Sequence, residues 1–146
     1  MKIVVASDHG GFDLKESLRL YLKELGYEVL DLGCYDHNSV DYPDYGRLAG
    51  ERVIEENCLG LVVCGTGIGI SLAANKVKGV RAALCSEEYS ATMARRHNNA
   101  NILALGGRTT GVDLAKSILD AFLKADFEGG RHERRVNKII DIEEGR

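Results

Sequence analysis

The stretch LGLVVCGTGIGIS, residues 59–71, places a cysteine between an apolar run and a glycine-rich loop. Gly65, Gly67 and Gly69 let the backbone turn its N–H groups toward an anion, and a helix beginning just after them would add positive potential. A thiol in this position favours the thiolate form, which can act as a general base or a nucleophile. The alternative is that Cys64 is a small buried packing residue, as free cysteines often are. The loop beside it favours the reactive role.

The same loop excludes two common nucleotide-binding motifs. No Gly-Lys-Ser/Thr sequence follows it, and Ile70 stands where the dinucleotide fingerprint needs its third glycine. The other cysteines, Cys34, Cys58 and Cys85, lack such a loop and are expected to be packing residues. None of the four has CxxC spacing or a nearby histidine pair, so neither a zinc site nor a disulfide framework is expected.

Further candidate residues follow the first apolar run or lie near the ends of helical segments. Asp8 and His9 could orient and protonate a substrate, although Asp8 could equally cap the first helix. His97 could donate a proton, or it could only complement the negative end of its helix. Arg131 and Arg135 are four residues apart, so a helix would present both as a fork for phosphate; the alternative is a solvated charged face. Spacing alone leaves these alternatives open.

The hydrophobic pattern predicts the scaffold that positions these residues. Short apolar or β-branched runs alternate with amphipathic segments, which is typical of buried parallel strands connected by helices. The predicted strands are residues 2–6, 28–32, 59–64, 80–85 and 102–105. The predicted helices are residues 14–25, 43–56, a segment from about 71, a segment capped by Ser86 that ends near 97, and residues 112–122. The basic segment RHERRVNKIIDI predicts a short helix at the C-terminus.

Five strand–helix alternations predict a single domain over residues 1–146. Its expected class is α/β, a three-layer α/β/α sandwich with a Rossmann-like, five-stranded parallel sheet and a C-terminal helical arm. Ligands of open parallel sheets bind outside the carboxyl ends of the strands. The site is therefore expected where three strands end, at residues 7–11, 64–69 and 106–108.

Composition and charge exclude several classes of partner. The chain has 146 residues, of which 45% are hydrophobic and 28% charged, and its net charge of -3 gives no electrostatic footprint for nucleic acid. No basic amphipathic segment or bilayer-length apolar run indicates a membrane partner, and the N-terminal apolar run is too short for a signal peptide. A cytoplasmic protein with a small-molecule substrate is expected.

Several motifs taken together resemble one family, the type B ribose-5-phosphate isomerases with their galactose-6-phosphate and allose-6-phosphate isomerase relatives. The resemblance runs through SDHGGF (7–12), VDYPDY (40–45), CGTGIGIS (64–71), ANK (74–76), RAALC (81–85), RRHNNANIL (95–103), GGR (106–108) and EGGRHERRV (128–136). It covers essentially the whole chain. The set is highly specific, whereas any one motif alone is not.

The resemblance implies an aldose–ketose isomerisation through an enediolate, without a metal or cofactor. By that resemblance Cys64 is the base that removes the proton beside the carbonyl, while Thr66 and His97 assist ring opening. Some relatives instead place a glutamate base just beyond the glycine loop; here Ile70 occupies that region, so the chain follows the cysteine pattern. Elementary chemistry agrees, because this reaction needs a base and donors for a developing oxyanion. The amides of residues 65–69 can supply those donors.

The same resemblance implies the substrate contacts and the assembly. Asp8 and Asn98 resemble the family's contacts to sugar hydroxyls and the carbonyl. The residues that resemble its phosphate contacts are His9, Arg108, Arg131 and Arg135. The expected substrate-binding set is Asp8, His9, Tyr42, Gly65, Thr66, Gly67, Ile68, Gly69, Asn98, Arg108, Arg131 and Arg135; the alternative for Tyr42 is that it only shapes the turn before Pro43. In the family some of these arginines come from a neighbouring subunit. A homodimer with shared active sites is therefore expected, and pairing of dimers into tetramers stays open.

Three alternatives stay open at this point. Six-carbon sugar phosphates, such as allose 6-phosphate or galactose 6-phosphate, could replace ribose 5-phosphate as the substrate, because no motif reports the depth of the cavity. A non-enzymatic phosphometabolite-binding module could use the same loops and arginines, but it would leave the joint presence of Cys64, Thr66 and His97 unexplained. A thiol hydrolase would use Cys64 as a covalent nucleophile paired with His97.

Overall fold

The computed structural model describes residues 1–146 and contains one five-stranded sheet and six α-helices. The strands are β1 (Lys2–Ser7), β2 (Glu28–Asp31), β3 (Leu59–Cys64), β4 (Ala82–Leu84) and β5 (Ile102–Gly106). The helices are α1 (Phe12–Glu24), α2 (Tyr42–Glu56), α3 (Ile68–Ala74), α4 (Glu88–Asn98), α5 (Val112–Lys124) and α6 (Arg131–Glu143), and a 3₁₀ turn, His9–Gly11, precedes α1. All strands pair in parallel, which confirms the predicted α/β class.

Two apolar clusters cover the two faces of this sheet. Ile3, Leu61 and Leu103 belong to a buried cluster that α1, α4 and α5 complete on one face. Val4 and Val62, which point the opposite way, belong to a second cluster completed by α2 and α3. Because successive residues of a strand point to opposite faces, continuous apolar strands bury both faces of the sheet. The predicted three-layer sandwich is confirmed.

The strand order is β2-β1-β3-β5-β4. The sheet therefore grows outward in one direction from β1 and in the other from β3. In open α/β sheets such a reversal leaves a crevice outside the carboxyl ends of the two central strands. The loops after β1 and β3 flank this crevice, and they carry the SDHGG and CGTGIG motifs.

Most predicted boundaries agree with the structure to within two residues, and the local differences include those at α3, α4 and β4. α3 begins at Ile68 rather than near Ser71, because Gly67 adopts a left-handed conformation and the chain becomes helical directly after it. The predicted N-cap Ser86 is wrong: α4 begins at Glu88, and the Glu87 side chain accepts the Ser90 N–H at 2.9 Å. β4 is shorter than predicted, Ala82–Leu84 instead of residues 80–85.

The predicted C-terminal helix is present as α6, and it lies on its own chain. Gly129 and Gly130 both have positive φ, 71° and 56°, which lets the chain turn sharply between α5 and α6. His132 and Val136 of α6 are buried, and the Glu143 carboxylate accepts the Gly79 N–H at 3.1 Å. Of the six helices, none combines the length and apolar character needed to cross a bilayer.

Two leucines of α1 give a matched test of this packing. Leu18 is fully buried in the first apolar cluster, whereas Leu20 is 52% exposed. Leu18→Ala is expected to lower the free energy of unfolding by about 2–5 kcal/mol, because it removes buried methyl groups and leaves a cavity. Leu20→Ala is expected to change it by no more than about 0.5 kcal/mol. Urea unfolding of both variants at one protein concentration measures the difference; equal losses would contradict the described face of α1.

Candidate active site

Cys64 ends β3 at the crevice and is only 5% exposed. Its Sγ accepts a hydrogen bond from the Gly67 N–H at 3.2 Å. This tight turn needs glycine at position 67. Gly67 has a φ of 78°, and a Cβ on it would lie only 2.8 Å from the Leu105 carbonyl carbon. The Gly67 N–H would donate a charge-assisted hydrogen bond to the sulfur of a thiolate. Cys64 is thus buried, as a packing residue would be. Its sulfur also has a hydrogen-bond donor, the Gly67 N–H, as a thiolate base would need.

The loop after Cys64 presents further donors. The first intrahelical bond of α3 runs from the Ser71 N–H to the Gly67 carbonyl, so the Gly69 and Ile70 amides lie in the first turn, where N–H groups have no partner within the helix. The exposed Thr66 hydroxyl accepts the Ile68 N–H at 3.3 Å, which leaves its own proton free to donate. α3 has only seven residues, so these local amides supply more positive potential than the helix as a whole.

The loop after β1 packs against the Cys64 loop. A Cβ on Gly10 would lie 3.2 Å from the Gly65 nitrogen, so the two backbones touch. Asp8 is buried and its Oδ1 accepts the Gly11 N–H at 3.1 Å, so it caps the 3₁₀ turn before α1 rather than α1 itself, whose N-cap is Gly11. His9 Nδ1 accepts the Val40 N–H at 3.2 Å, so the neutral ring carries its proton on Nε2. Nε2 is therefore available as a donor.

The loop after β5 and the start of α2 complete this edge. The Gly107 and Arg108 N–H groups bind the carbonyls of Cys64 and Gly65 at 2.8 and 2.9 Å. The Arg108 side chain is exposed and makes no ion pair. It lies beside Gly65, because a Cβ added to Gly65 would be 3.2 Å from Arg108 Nη1. The Tyr42 ring lies over Gly69, 2.5 Å from where a Cβ would be, so Tyr42 faces the glycine loop rather than only shaping the turn.

His97 and Asn98 lie at the opposite edge of the sheet. α4 starts beyond the carboxyl end of β4 and runs back, so its last turn leads into the start of β5. Residues just after it, Asn99 and Asn101, line a cavity together with residues at the amino ends of the strands, Met1, Lys2, Leu59 and Arg81. The length of β3 separates the two edges by roughly 15 Å. Within one chain the structure does not bring His97 to Cys64.

Two residues that the sequence analysis did not select surround His97. The His132 ring stacks on the His97 ring, with centroids 4.0 Å apart and planes 7° from parallel. Glu128 Oε1 lies 3.8 Å from His97 Nε2 and 3.5 Å from His132 Nε2. Burial lowers the pKa of His132, His97 and Arg131 lower it further, and Glu128 opposes them. The one available sequence signal was the four-residue spacing of Glu128 and His132.

Arg131 and Arg135 share one face of α6, as their spacing predicted, and both are exposed without an ion-pair partner. They lie on the same helix as His132 and therefore belong to the His97 edge rather than the Cys64 edge. The site residues predicted from sequence thus divide into two groups. The carboxyl-edge half-site comprises Asp8, His9, Tyr42, the loop Cys64–Gly69 and Arg108; the amino-edge half-site comprises His97, Asn98, Arg131 and Arg135.

The other three cysteines differ from Cys64, as expected. Burial raises the pKa of the Cys85 thiol to about 11, with a smaller contribution from Glu87. Burial also raises the pKa of the Cys58 thiol. Cys34 is buried and its thiol donates to the Asp36 carbonyl at 3.4 Å. Cys58 also has a backbone hydrogen-bond partner, Val4, but the effect of burial on its pKa is larger.

Comparison with known proteins decides the family. The sequence model of the ribose/galactose isomerase family matches residues 3–139. The chain belongs to this family. Among its ribose/galactose isomerase relatives, ribose-5-phosphate isomerase B of Escherichia coli is 48% identical over 146 residues, which cover 99% of this chain and 98% of the relative.

Solved structures of the ribose/galactose isomerase family have the same fold. Ribose-5-phosphate isomerase B of Clostridium thermocellum is 55% identical, with a TM-score of 0.98 over 99% of both chains. The Mycoplasma genitalium ribose-5-phosphate isomerase B structure, which contains bound ribulose-5-phosphate, is 46% identical, with a TM-score of 0.93 over 98% of this chain and 96% of that one. The resemblance inferred from the sequence motifs is confirmed.

Proposed function

We propose that this isomerase interconverts D-ribose 5-phosphate and D-ribulose 5-phosphate, a step of the non-oxidative pentose phosphate pathway. The observation that carries the proposal is the Cys64 thiol at the central crevice, with the Gly67 N–H directed at its sulfur. The names of the relatives and the ribulose-5-phosphate bound in the Mycoplasma genitalium protein support the choice of substrate.

In the proposed mechanism, Cys64 acts as the general base. Its thiolate removes the proton from C2 of the open-chain aldose, and the electron pair moves through the C1–C2 bond onto the carbonyl oxygen, giving an enediolate. The amides of the Cys64 loop and the Thr66 hydroxyl donate to that oxygen. Transfer of the hydroxyl proton from O2 to O1, and return of a proton from the Cys64 thiol to C1, then give the ketose and restore the thiolate. Each step moves only protons and electron pairs within the substrate and these groups.

The remaining residues are proposed to bind and open the sugar. Asp8 retains a carboxylate oxygen beyond its bond to Gly11 and is proposed to accept from a sugar hydroxyl. His9 Nε2–H and the Arg108 guanidinium can both donate to phosphate, and both carry free donors at the carboxyl edge. His97 is proposed to assist ring opening together with Thr66, and Asn98 to contact the substrate.

The two half-sites support a homodimer with shared active sites. His97 and Asn98 lie at one edge of the sheet and Cys64 at the other, so a single chain cannot place them on one substrate. A second copy that presents its amino edge to the first copy's carboxyl edge would complete the site, and two-fold symmetry would then complete the second site in the same way. Arg131 and Arg135 of the C-terminal arm would accompany His97 across the interface. The single-domain organisation, the cytoplasmic location and a tetramer stay predictions.

Hydrogen exchange tests the proposed reaction directly. With ribose 5-phosphate in deuterated water, we expect ribulose 5-phosphate to form and the recovered aldose to carry deuterium at C2, because an enediolate exchanges its proton with solvent. NMR of the sugar measures both. Parallel incubations with allose 6-phosphate and galactose 6-phosphate rank the six-carbon alternatives. Binding of these sugar phosphates without exchange would favour the non-enzymatic module, and a stable acyl-enzyme formed from a substrate ester would favour the hydrolase.

A further inference from the structure

The cluster of His97, Glu128 and His132 holds three metal-ligating side chains around one point. Their three donor atoms lie within 4.8 Å of one another. Both imidazole Nε2 atoms approach the same carboxylate oxygen, at 3.8 and 3.5 Å, and the two rings are nearly parallel. No hydrogen bond at ordinary distance joins Glu128 to either ring, so the donor lone pairs are not consumed by one another.

We propose that His97, Glu128 and His132 form a binding site for a divalent transition-metal ion, with Zn²⁺ as the ion that it fits best. Two imidazoles and one carboxylate are a recurring zinc ligand set, with a fourth position left to water. Imidazole favours Zn²⁺, Cu²⁺ or Ni²⁺ over Mg²⁺ and Ca²⁺, which prefer oxygen ligands. The proposal therefore predicts selectivity as well as affinity.

The distances from the Glu128 carboxylate oxygen to the two imidazole nitrogens are close to what a tetrahedral ion requires. Bonds of about 2.1 Å at a tetrahedral angle place neighbouring donors about 3.4 Å apart. The separations from Glu128 Oε1 to the two Nε2 atoms exceed this by a few tenths of an ångström at most. The two rings are stacked and nearly parallel, so both must turn out of the stack before their Nε2 lone pairs converge on one ion. Glu128 and His97 have exposed fractions of 47% and 37%, which leaves an approach for a hydrated ion.

The backbone around the three ligands is already fixed. The Glu128 N–H binds the Arg96 carbonyl at 3.0 Å, which fastens the segment after α5 to the last turn of α4 beside His97. The His132 N–H binds the Gly129 carbonyl at 3.1 Å, which places the first turn of α6 directly above that segment. Metal binding would therefore reorient and order side chains only, with the backbone left in place.

An ion at this site would also take His97 out of the proposed reaction. The metal would occupy the Nε2 lone pair of His97, which could then neither accept nor donate a proton at that atom. Zn²⁺ is therefore expected to inhibit isomerisation reversibly, and EDTA to restore it. Only this inhibition rests on the proposed function; the binding itself does not.

Calorimetric titration of the intact protein with Zn²⁺ at neutral pH tests the binding. We expect one ion per chain for the natural sequence and no comparable binding of Mg²⁺. Glu128→Gln and His132→Ala should each weaken Zn²⁺ affinity by about 10-fold or more. His37→Ala is the matched control, because His37 also pairs with a carboxylate, Asp13, at 2.7 Å but has no second imidazole beside it. That variant should bind Zn²⁺ as the natural sequence does.

Substitution with Co²⁺ separates this site from the thiol. We expect d–d absorption typical of nitrogen and oxygen ligands, lost in His132→Ala. A thiolate-to-cobalt charge-transfer band that disappears in Cys64→Ala would overturn the proposal, because the ion would then lie on Cys64. Unchanged Zn²⁺ affinity in both Glu128→Gln and His132→Ala would overturn it as well. Zn²⁺ binding in a protein that isomerises no sugar phosphate would refute the proposed function alone.

Discussion

Cys64→Ala is expected to lower kcat for ribose 5-phosphate isomerisation by about 10³-fold or more. A positioned general base typically raises the rate 10²- to 10⁴-fold. The Cys64 loop contains no carboxylate or imidazole that could replace the thiol. The substrate-binding groups stay in place, so KM should change much less than kcat. Initial rates with ribose 5-phosphate, together with C2 exchange in deuterated water, measure both quantities.

Cys58→Ala is the matched control for this substitution. Cys58 lies at the amino end of β3, and burial raises its thiol pKa, so its removal deletes a protonated thiol from the same strand region without touching the loop. We expect nearly unchanged kinetics for this variant. If Cys64→Ala retained the full rate and exchange, the assignment of Cys64 as the base would be refuted while membership of the family would stand.

Mixing two inactive variants is expected to restore activity. Cys64→Ala and His97→Ala should each be almost inactive as homodimers. In a mixed dimer, one site receives both substitutions and the other receives an intact Cys64 from one chain and an intact His97 from the other. Random re-association makes half of the dimers mixed, each with one intact site, so about one quarter of the natural activity should return. Activity measured after denaturant-assisted exchange of equal amounts tests this.

The doubly substituted chain, Cys64→Ala with His97→Ala, provides the opposite expectation. Mixed with the natural chain, it should give dimers in which both sites carry one substitution, so no activity is gained beyond that of the natural homodimers. Recovery in this second mixture but not in the first would mean that Cys64 and His97 act within one chain. The proposed division of the site between two copies would then be wrong.

The fold was predictable from the sequence because its signals are local. Continuous apolar runs such as residues 59–64 identify strands buried on both faces, and the leucine spacing of α1 identifies the face of that helix. Cap positions were less predictable, because Ser86 is of a preferred N-cap type whereas the fold uses the Glu87 side chain, which residue preference does not select. The strand order depends on packing between distant segments, which no local pattern reports.

For the candidate site, the sequence offers candidate residues but not their arrangement in space. The motifs select Cys64, Asp8 and His97 as candidates, yet they carry no information on which sheet edge holds each residue. That assignment follows from the direction in which α4 runs. Glu128 and His132 were missed because their relation to His97 arises only when the turn after α5 folds back on α4.

The bond from the Gly67 N–H to the Cys64 sulfur has a consequence for the electrostatic balance of the proposed reaction. When the thiolate takes up a proton, sulfur becomes neutral, and the sugar oxygen becomes negative in the same step. The total charge of the pocket is therefore constant, and one unit of charge is only relocated by a few ångströms. Because the N–H dipoles of a single short loop are proposed to serve both positions, water need not reorient as the charge moves.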